Sequence, residues 1–200
     1  YFLESILKTA NEDSTSRLVM HLLSNPIQDG GQWDMWINLV NKYGVVPQSE
    51  MPESYSSSRS AVMNRLITRK LRENAMILRN KKNKGIPGLE LQKLKVTMLE
   101  EIYQMLTIHL GNPPDEFDWQ VRDKKRKFLR FEKLNPISFF NDHIDLQLDD
   151  YVCLINCPMS DKEYNKVYTV KYLGNVSEGK PIRYLNVKNE IMKNSAIKSL

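Results

Sequence analysis

The sequence predicts an α+β fold that is rich in helix, and three patterns support this prediction. Apolar residues recur at helical spacing through most of the first 110 residues. Apolar and polar residues alternate at Phe117–Val121 and again around Phe128, on either side of a charged turn, as in a β-hairpin. Short apolar runs bounded by turn residues follow. Helices first and strands afterwards are typical of α+β proteins.

Helices are predicted at residues 1–10 and 14–24, and the second ends at Asn25-Pro26 because proline disfavours the helical backbone before it. Two more, at 61–80 and about 89–110, are joined by the turn at 81–85 and predict an antiparallel helical hairpin. The first helix of the hairpin has one apolar and one cationic face. The second has two apolar series, so we expect it to be well buried.

The C-terminal half predicts mainly strands. A short helix is expected at about 136–145, and strands at 151–156, 167–173 and 182–187. We expect these strands to pair antiparallel. An amphipathic helix follows at the end of the sequence.

Composition is ordinary for a water-exposed protein, with 41% hydrophobic and 26% charged residues among 200. No apolar run approaches the roughly 18 residues that a membrane-spanning helix needs, so no membrane partner is expected. Cys153 and Cys157 are spaced C-x3-C within and just after an apolar run, which fits structural thiols better than a redox pair or a zinc site. Unpaired thiols suit a reducing compartment, and we expect a cytoplasmic protein.

The most informative segment is Asp29-Gly-Gly-Gln-Trp33 and the amphipathic stretch after it. Two adjacent glycines allow a backbone conformation and a close approach that side chains would block. The apolar residues that follow recur at helical spacing, with Asp34 in the first turn and Gly44 just past the end. We therefore predict an exposed glycine loop that leads into a buried helix.

This segment resembles the bleomycin hydrolase and bacterial aminopeptidase C group of papain-like cysteine peptidases. The similarity is carried by NPIQDGGQWDMWINLVNKYGVVPQSEMPESY at residues 25–55. It continues through MNRLITRKLRENAMILRN at 63–80, LGNPPDEFDWQVRDK at 110–124 and YNKVYTVKYLGNV at 164–176. These matches occur in the same order as in the family, and the similarity begins at residues 1–4 and runs nearly to the C-terminus, so it spans most of the chain.

The resemblance implies an internal piece of a longer peptidase. In the family the catalytic cysteine and the oxyanion-hole glutamine come before this segment, and the catalytic histidine and asparagine come after it. We therefore expect no catalytic residue here. Residues 1–56 correspond to part of the helical lobe, 57–135 to an inserted hook, and 136–200 to part of the second lobe. The parent protein is expected to form hexamers and to hydrolyse peptides.

The resemblance also assigns a substrate-binding role to the glycine loop. In papain-like peptidases the glycine pair runs alongside the bound peptide, so Gly30 and Gly31 are expected to bind it through their backbone. Asp29 and Gln32 are their neighbours, and Trp33 is a candidate for the wall of the substrate groove. For Trp33 core packing is an open alternative, because it lies at helical spacing from Trp36.

The inserted segment is strongly basic. Residues 57–95 contain eleven basic and two acidic residues, a local net charge of +9 against +5 for the whole chain. Such density attracts phosphate groups, so Lys81, Lys82 and Lys84 are candidates for non-specific nucleic-acid binding. A solvated helix face and an oligomerisation segment are the alternatives. His21, His109 and His143 are isolated and show no metal-ligand spacing, and no cofactor is expected.

Overall fold

The computed structural model describes residues 1–27, 30–144 and 146–199, with the side chain of Ser199 excluded. The helices of the first half are α1 (Phe2–Lys8), α2 (Arg17–Ser24), α3 (Trp33–Tyr43), α4 (Tyr55–Ser58), α5 (Ala61–Asn83) and α6 (Gly88–Leu110). The second half contains β1 (Phe117–Arg122), β2 (Phe128–Leu134), α7 (Pro136–His143), a 3₁₀ turn (Leu148–Asp150), β3 (Cys153–Ile155), β4 (Lys166–Tyr168), β5 (Tyr184–Asn186) and α8 (Asn189–Ser199). The mixed helix and strand content confirms the α+β prediction.

Helices α5 and α6 form the predicted hairpin and pack on α1. Their shared core contains Leu3 and Leu7 of α1, Ile67 and Leu78 of α5, and Met98 of α6. Burying apolar side chains of this size stabilises the fold by roughly 1.5–3 kcal/mol each. Helix α1 is therefore held to the hairpin by packing between residues that are far apart in the sequence.

Two sequence predictions for the hairpin are wrong in detail. Helix α5 continues to Asn83, so Lys81 and Lys82 lie in its last turn and not in the loop. Cations are favourable there because the C-terminal end of a helix is partly negative. In α6, only the first apolar series is covered along its whole length.

The second apolar series of α6 is covered only towards its C-terminal end, where Leu106 and Leu110 pack against the core. Leu99 is 44% exposed and Tyr103 is 54% exposed. Local periodicity shows that a helix has two apolar faces, but it does not show how many partners the helix has.

The three strands of the second sheet are shorter than predicted, and one pairing in that sheet differs. Strands β1 and β2 form the expected antiparallel hairpin. In the second sheet β5 lies in the middle, antiparallel to β4 and parallel to β3, so the expectation of antiparallel strands is wrong for β3. The chain crosses over between β3 and β5, and the fully buried side chain of Asn186 holds this crossover through hydrogen bonds to Cys157 and Lys162.

Helix α3 is the element that connects the two halves. Its apolar face forms a second core, in which Ile37 and Val40 contact Phe140 of α7 and Leu148. Gly44 ends the helix with a φ of 69° and lies directly against the first turn of α7. The backbone N–H of Val45 donates to the carbonyl of Pro136 at 3.1 Å.

Candidate substrate groove

A cavity of about 1070 Å³ lies between the glycine loop, the first two helices and residues 170–175. The glycine-loop wall consists of Gly30, Gly31, Gln32, Met35, Trp36 and Leu39. Helices α1 and α2 and the segment after them contribute Tyr1, Phe2, Ser5, Arg17, Leu18, His21, Leu22, Asn25, Pro26 and Ile27. The lining is mainly apolar with a few polar groups, as is common in sites that bind organic ligands.

The backbone of the glycine loop is open to this cavity. Gly30 and Gly31 are exposed, and Gly30 has a φ of 121°, a conformation that side chains disfavour. Gly31 lacks such a φ, and a Cβ placed there would meet only Met35, at 3.5 Å. Gln32 precedes α3 with extended backbone angles. Asp29 lies outside the described residues.

Trp33 lies away from the cavity. Its ring centroid is 4.9 Å from that of Trp36 and 5.1 Å from that of Tyr151, and its side chain packs against the α3 core. Of the two roles that the sequence left open, these contacts support core packing. Trp36, one turn along the helix, lines the cavity in its place.

The wall opposite the glycine loop is formed by residues 170–175, which sequence reasoning did not assign to the site. Asn175 Nδ2 donates to the carbonyl of Met35 at 3.0 Å and fixes this segment to α3. Gly174 lies under Tyr1, because a Cβ there would come within 2.9 Å of the ring. Tyr172 has a φ of 62°, which is unusual for a residue with a side chain. Burial, and secondarily the neighbouring phenol of Tyr172, raises the pKa of the Tyr1 phenol.

The polar side of α3 holds the chain that follows this wall. Asn38 makes a paired contact with Lys180, since its Nδ2 donates to the carbonyl at 2.8 Å and its Oδ1 accepts from the backbone N–H at 2.9 Å. Asp34 is buried and accepts from the backbone N–H of Arg183 at 2.8 Å. One helix therefore positions both the glycine loop at its N-terminus and the opposite wall along its side.

The cysteines and histidines are dispersed through the described structure. Both cysteines are half-buried free thiols, and among the described residues no hydrogen bond joins a cysteine to a histidine. His109 Nδ1 lies 2.9 Å from Ser56 Oγ, and His143 packs among aromatic rings. His21 alone of the three lines the cavity. No group of residues suited to bind a metal ion occurs in the described part of the chain.

The three lysines proposed to bind nucleic acid are not equivalent. Lys81 and Lys84 are exposed, whereas Lys82 is half-buried and its Nζ donates to the carbonyl of Leu7 at 2.7 Å. The cationic face of α5 is also partly engaged, because Arg79 is buried and donates to the carbonyls of Thr9 and Glu12. Nucleic-acid binding by the exposed lysines stays a prediction.

Comparison with known proteins places the whole chain in one family. A model of the Peptidase C1-like family matches residues 1–200. The chain is 48% identical to aminopeptidase C of Listeria innocua over 195 residues, which is 96% of this chain. It is 40% identical to bleomycin hydrolase of Gallus gallus over 204 residues and 100% of its own length. The chain therefore belongs to the Peptidase C1-like family, among aminopeptidase C and bleomycin hydrolase homologues.

A solved structure supports the same assignment. The crystal structure of PepW from Lactobacillus rhamnosis HN001 matches 99% of this chain with a TM-score of 0.95 and 44% sequence identity. The chain covers 44% of that protein, 43% of the Listeria enzyme and 45% of the chicken enzyme. It thus corresponds to less than half the length of these relatives. Among the described residues no helix combines the length and the apolar character needed to cross a membrane.

Proposed function

We propose that this chain is part of a cysteine aminopeptidase and supplies one wall of its peptide-binding groove. The observation that carries the proposal is the open backbone of Gly30 and Gly31 along a large, mainly apolar cavity. An extended peptide beside such a backbone gains strand-like main-chain hydrogen bonds, and pockets on either side accept its side chains. The names of the homologues, aminopeptidase C and bleomycin hydrolase, support peptide hydrolysis by the full-length protein.

In such an enzyme a thiolate–imidazolium pair attacks the peptide carbonyl and forms an acyl-enzyme. The described residues bind and orient the peptide for this step. The glycine loop holds the peptide backbone, while Trp36 and Leu39 offer apolar surface to a side chain. Neither cysteine of this chain serves as the nucleophile in our proposal. Cys153 lies in the edge strand β3, and among the described residues no cationic side chain is hydrogen-bonded to its thiol, whereas a reactive thiolate needs a positively charged partner.

The full-length protein tests this assignment directly. We expect the double substitution Cys153→Ala and Cys157→Ala to leave hydrolysis of aminoacyl substrates within about twofold of wild type, because neither thiol reacts. The 200-residue chain alone should show no turnover. If hydrolysis is lost in a double variant that folds normally, one of these cysteines takes part in the chemistry and the proposal is wrong.

A second role, assembly, is favoured by the exposed apolar face of α6. Val96, Leu99 and Tyr103 lie at successive turns and are 44–54% exposed. An exposed apolar stripe of this kind commonly marks a protein interface. We propose that the hairpin contributes to a homo-oligomer of the full-length protein. Light scattering on Leu99→Glu should show a smaller assembly, with Glu100→Gln as a control, and an unchanged assembly would contradict this role.

A further inference from the structure

Arg72 on the inserted helix α5 contacts the chain that leads into the glycine loop. Its Nε donates to the carbonyl of Leu23 at 2.8 Å, and its Nη2 donates to the carbonyl of Ser24 at 2.5 Å. These carbonyls belong to the last turn of α2, where helix geometry leaves them without an intrahelical partner. A guanidinium that satisfies two of them fixes both the position and the direction in which the chain leaves the helix.

The segment after this contact runs along the inserted hairpin into the cavity wall. Asn25, Pro26 and Ile27 line the cavity, and Ile27 also packs against the core shared by α1, α5 and α6. Gly30 and Gly31 follow within four residues of Ile27. The approach to the glycine loop is therefore held in two ways, by a charge-assisted hydrogen bond from α5 and by apolar packing on the core shared by α1, α5 and α6.

Neighbouring cations on α5 have a different target. Arg79 donates to Thr9 and Glu12, and Lys82 donates to Leu7, so these two residues hold the end of α1. Arg69, one turn before Arg72, is exposed and makes no hydrogen bond or ion pair with the described residues. The contact with the end of α2 is thus specific to Arg72 among these four cations.

We infer that Arg72 is a positioning residue that couples the inserted hairpin to the substrate groove by fixing the entry to the glycine loop. This inference rests on the proposed function, since it assigns the loop to peptide binding. A loop displaced by even a small distance binds the peptide backbone less well, while the reacting groups elsewhere keep their geometry. The effect is therefore expected in KM more than in kcat.

Kinetics of the full-length protein test the coupling. In Arg72→Ala we expect KM for a peptide substrate to rise by on the order of fivefold with kcat within about twofold. Arg72→Lys should recover part of the loss, because an ammonium still donates to a carbonyl. Arg69→Ala is the matched control and should keep the wild-type KM. An unchanged KM in folded Arg72→Ala, or an equal rise in Arg69→Ala, would overturn the inference.

Hydrogen exchange separates this inference from the proposed function, because it needs no activity. The amides of Asn25, Ile27 and residues 30–32 should exchange faster in Arg72→Ala and not in Arg69→Ala, whether or not the protein hydrolyses peptides. If exchange is unchanged, Arg72 does not position the loop. If exchange rises while KM stays constant, the loop is held by Arg72 but does not bind peptide, and the coupling to the groove is wrong.

Discussion

Gly44 is a position where the backbone conformation and the available space both require glycine. Its φ of 69° disfavours any side chain, and a Cβ there would overlap the carbonyl of Pro136 and the nitrogen of Ile137. Neither neighbour is a flexible side chain that moves aside. We therefore expect Gly44→Ala to lower the free energy of unfolding by about 3 kcal/mol or more, measured by denaturant titration.

Gly85 is the matched control for this prediction. It has a similar φ of 78°, but nothing lies within 4 Å of a Cβ placed there. Gly85→Ala should therefore cost only the backbone term, about 1 kcal/mol. Equal losses in the two variants would show that α7 does not press against the end of α3.

The pairing of α1 with α6 includes an ion pair with a defined pH dependence. Glu4 accepts from Lys95 Nζ at 2.8 Å, and this hydrogen bond holds the pKa of Glu4 below its usual value, against the opposing effect of burial. A carboxyl whose pKa is lowered by folding stabilises the protein above its unfolded pKa near 4.5. That stabilisation is lost as the pH falls through the lower folded pKa.

We expect Glu4→Gln to be less stable than wild type by roughly 1 kcal/mol at neutral pH. The difference should shrink as the pH falls below the usual carboxyl value, because the wild-type carboxyl is then protonated as well. This stability difference is measured from unfolding midpoints at a series of pH values from neutral to below 4.5. Glu100→Gln, on the exposed side of α6, is the control. A difference that stays constant with pH would mean that the pair contributes nothing through its charge.

Asn38 connects α3 to Lys180, in the chain that follows the cavity wall at residues 170–175, and a substitution of Asn38 tests this connection. Asn38→Asp removes the N–H that binds the carbonyl of Lys180 and places a carboxylate against it. We expect a loss of about 2 kcal/mol in unfolding free energy. Asn41→Asp, on the exposed side of the same helix, should stay within about 0.5 kcal/mol of wild type. Similar values for the two variants would contradict the importance of the paired contact.

For helices, strands and the loops between them, the sequence predicted local structure better than it predicted the contacts between distant segments. The helix at 33–43 and the exposed glycine loop follow from neighbouring residues, and both predictions are confirmed. The parallel pairing of β3 with β5 depends on a crossover of about thirty residues, which alternation within a strand does not encode. The same holds for Lys82, whose acceptor on Leu7 is 75 positions away.

The distribution of charge over the whole molecule decides how much of the basic segment at residues 57–95 is available to a ligand. Arg72, Arg79 and Lys82 donate to carbonyls within the protein, and Lys70 is paired with Glu101 at 2.9 Å. Lys81 and Lys84 remain exposed. The local charge that the sequence shows thus overstates the surface that is free to bind phosphate.

We predict that Lys81→Glu with Lys84→Glu leaves the fold intact and tests nucleic-acid binding cleanly. If both lysines contact phosphate, the salt dependence of DNA binding should weaken by about one unit of slope per lost contact. Lys82→Glu should instead destabilise the protein, because it removes a bond to the end of α1. Wild-type DNA binding in the double variant would exclude these two lysines as phosphate contacts.

We propose that the backbone of Gly31 lies beside the bound peptide, and kinetics of Gly31→Val in the full-length protein provide the sharpest test of this role. The substitution is compatible with the fold, since Gly31 lacks a positive φ and a Cβ there makes only an ordinary van der Waals contact with the Met35 side chain, at 3.5 Å. Gly88→Val is the control, because a Cβ at Gly88 meets nothing within 4 Å and Gly88 lies at the start of α6, away from the cavity. We predict normal stability for both and a fall in kcat/KM of on the order of tenfold or more for Gly31→Val alone. Wild-type kcat/KM in a stable Gly31→Val variant would contradict the account.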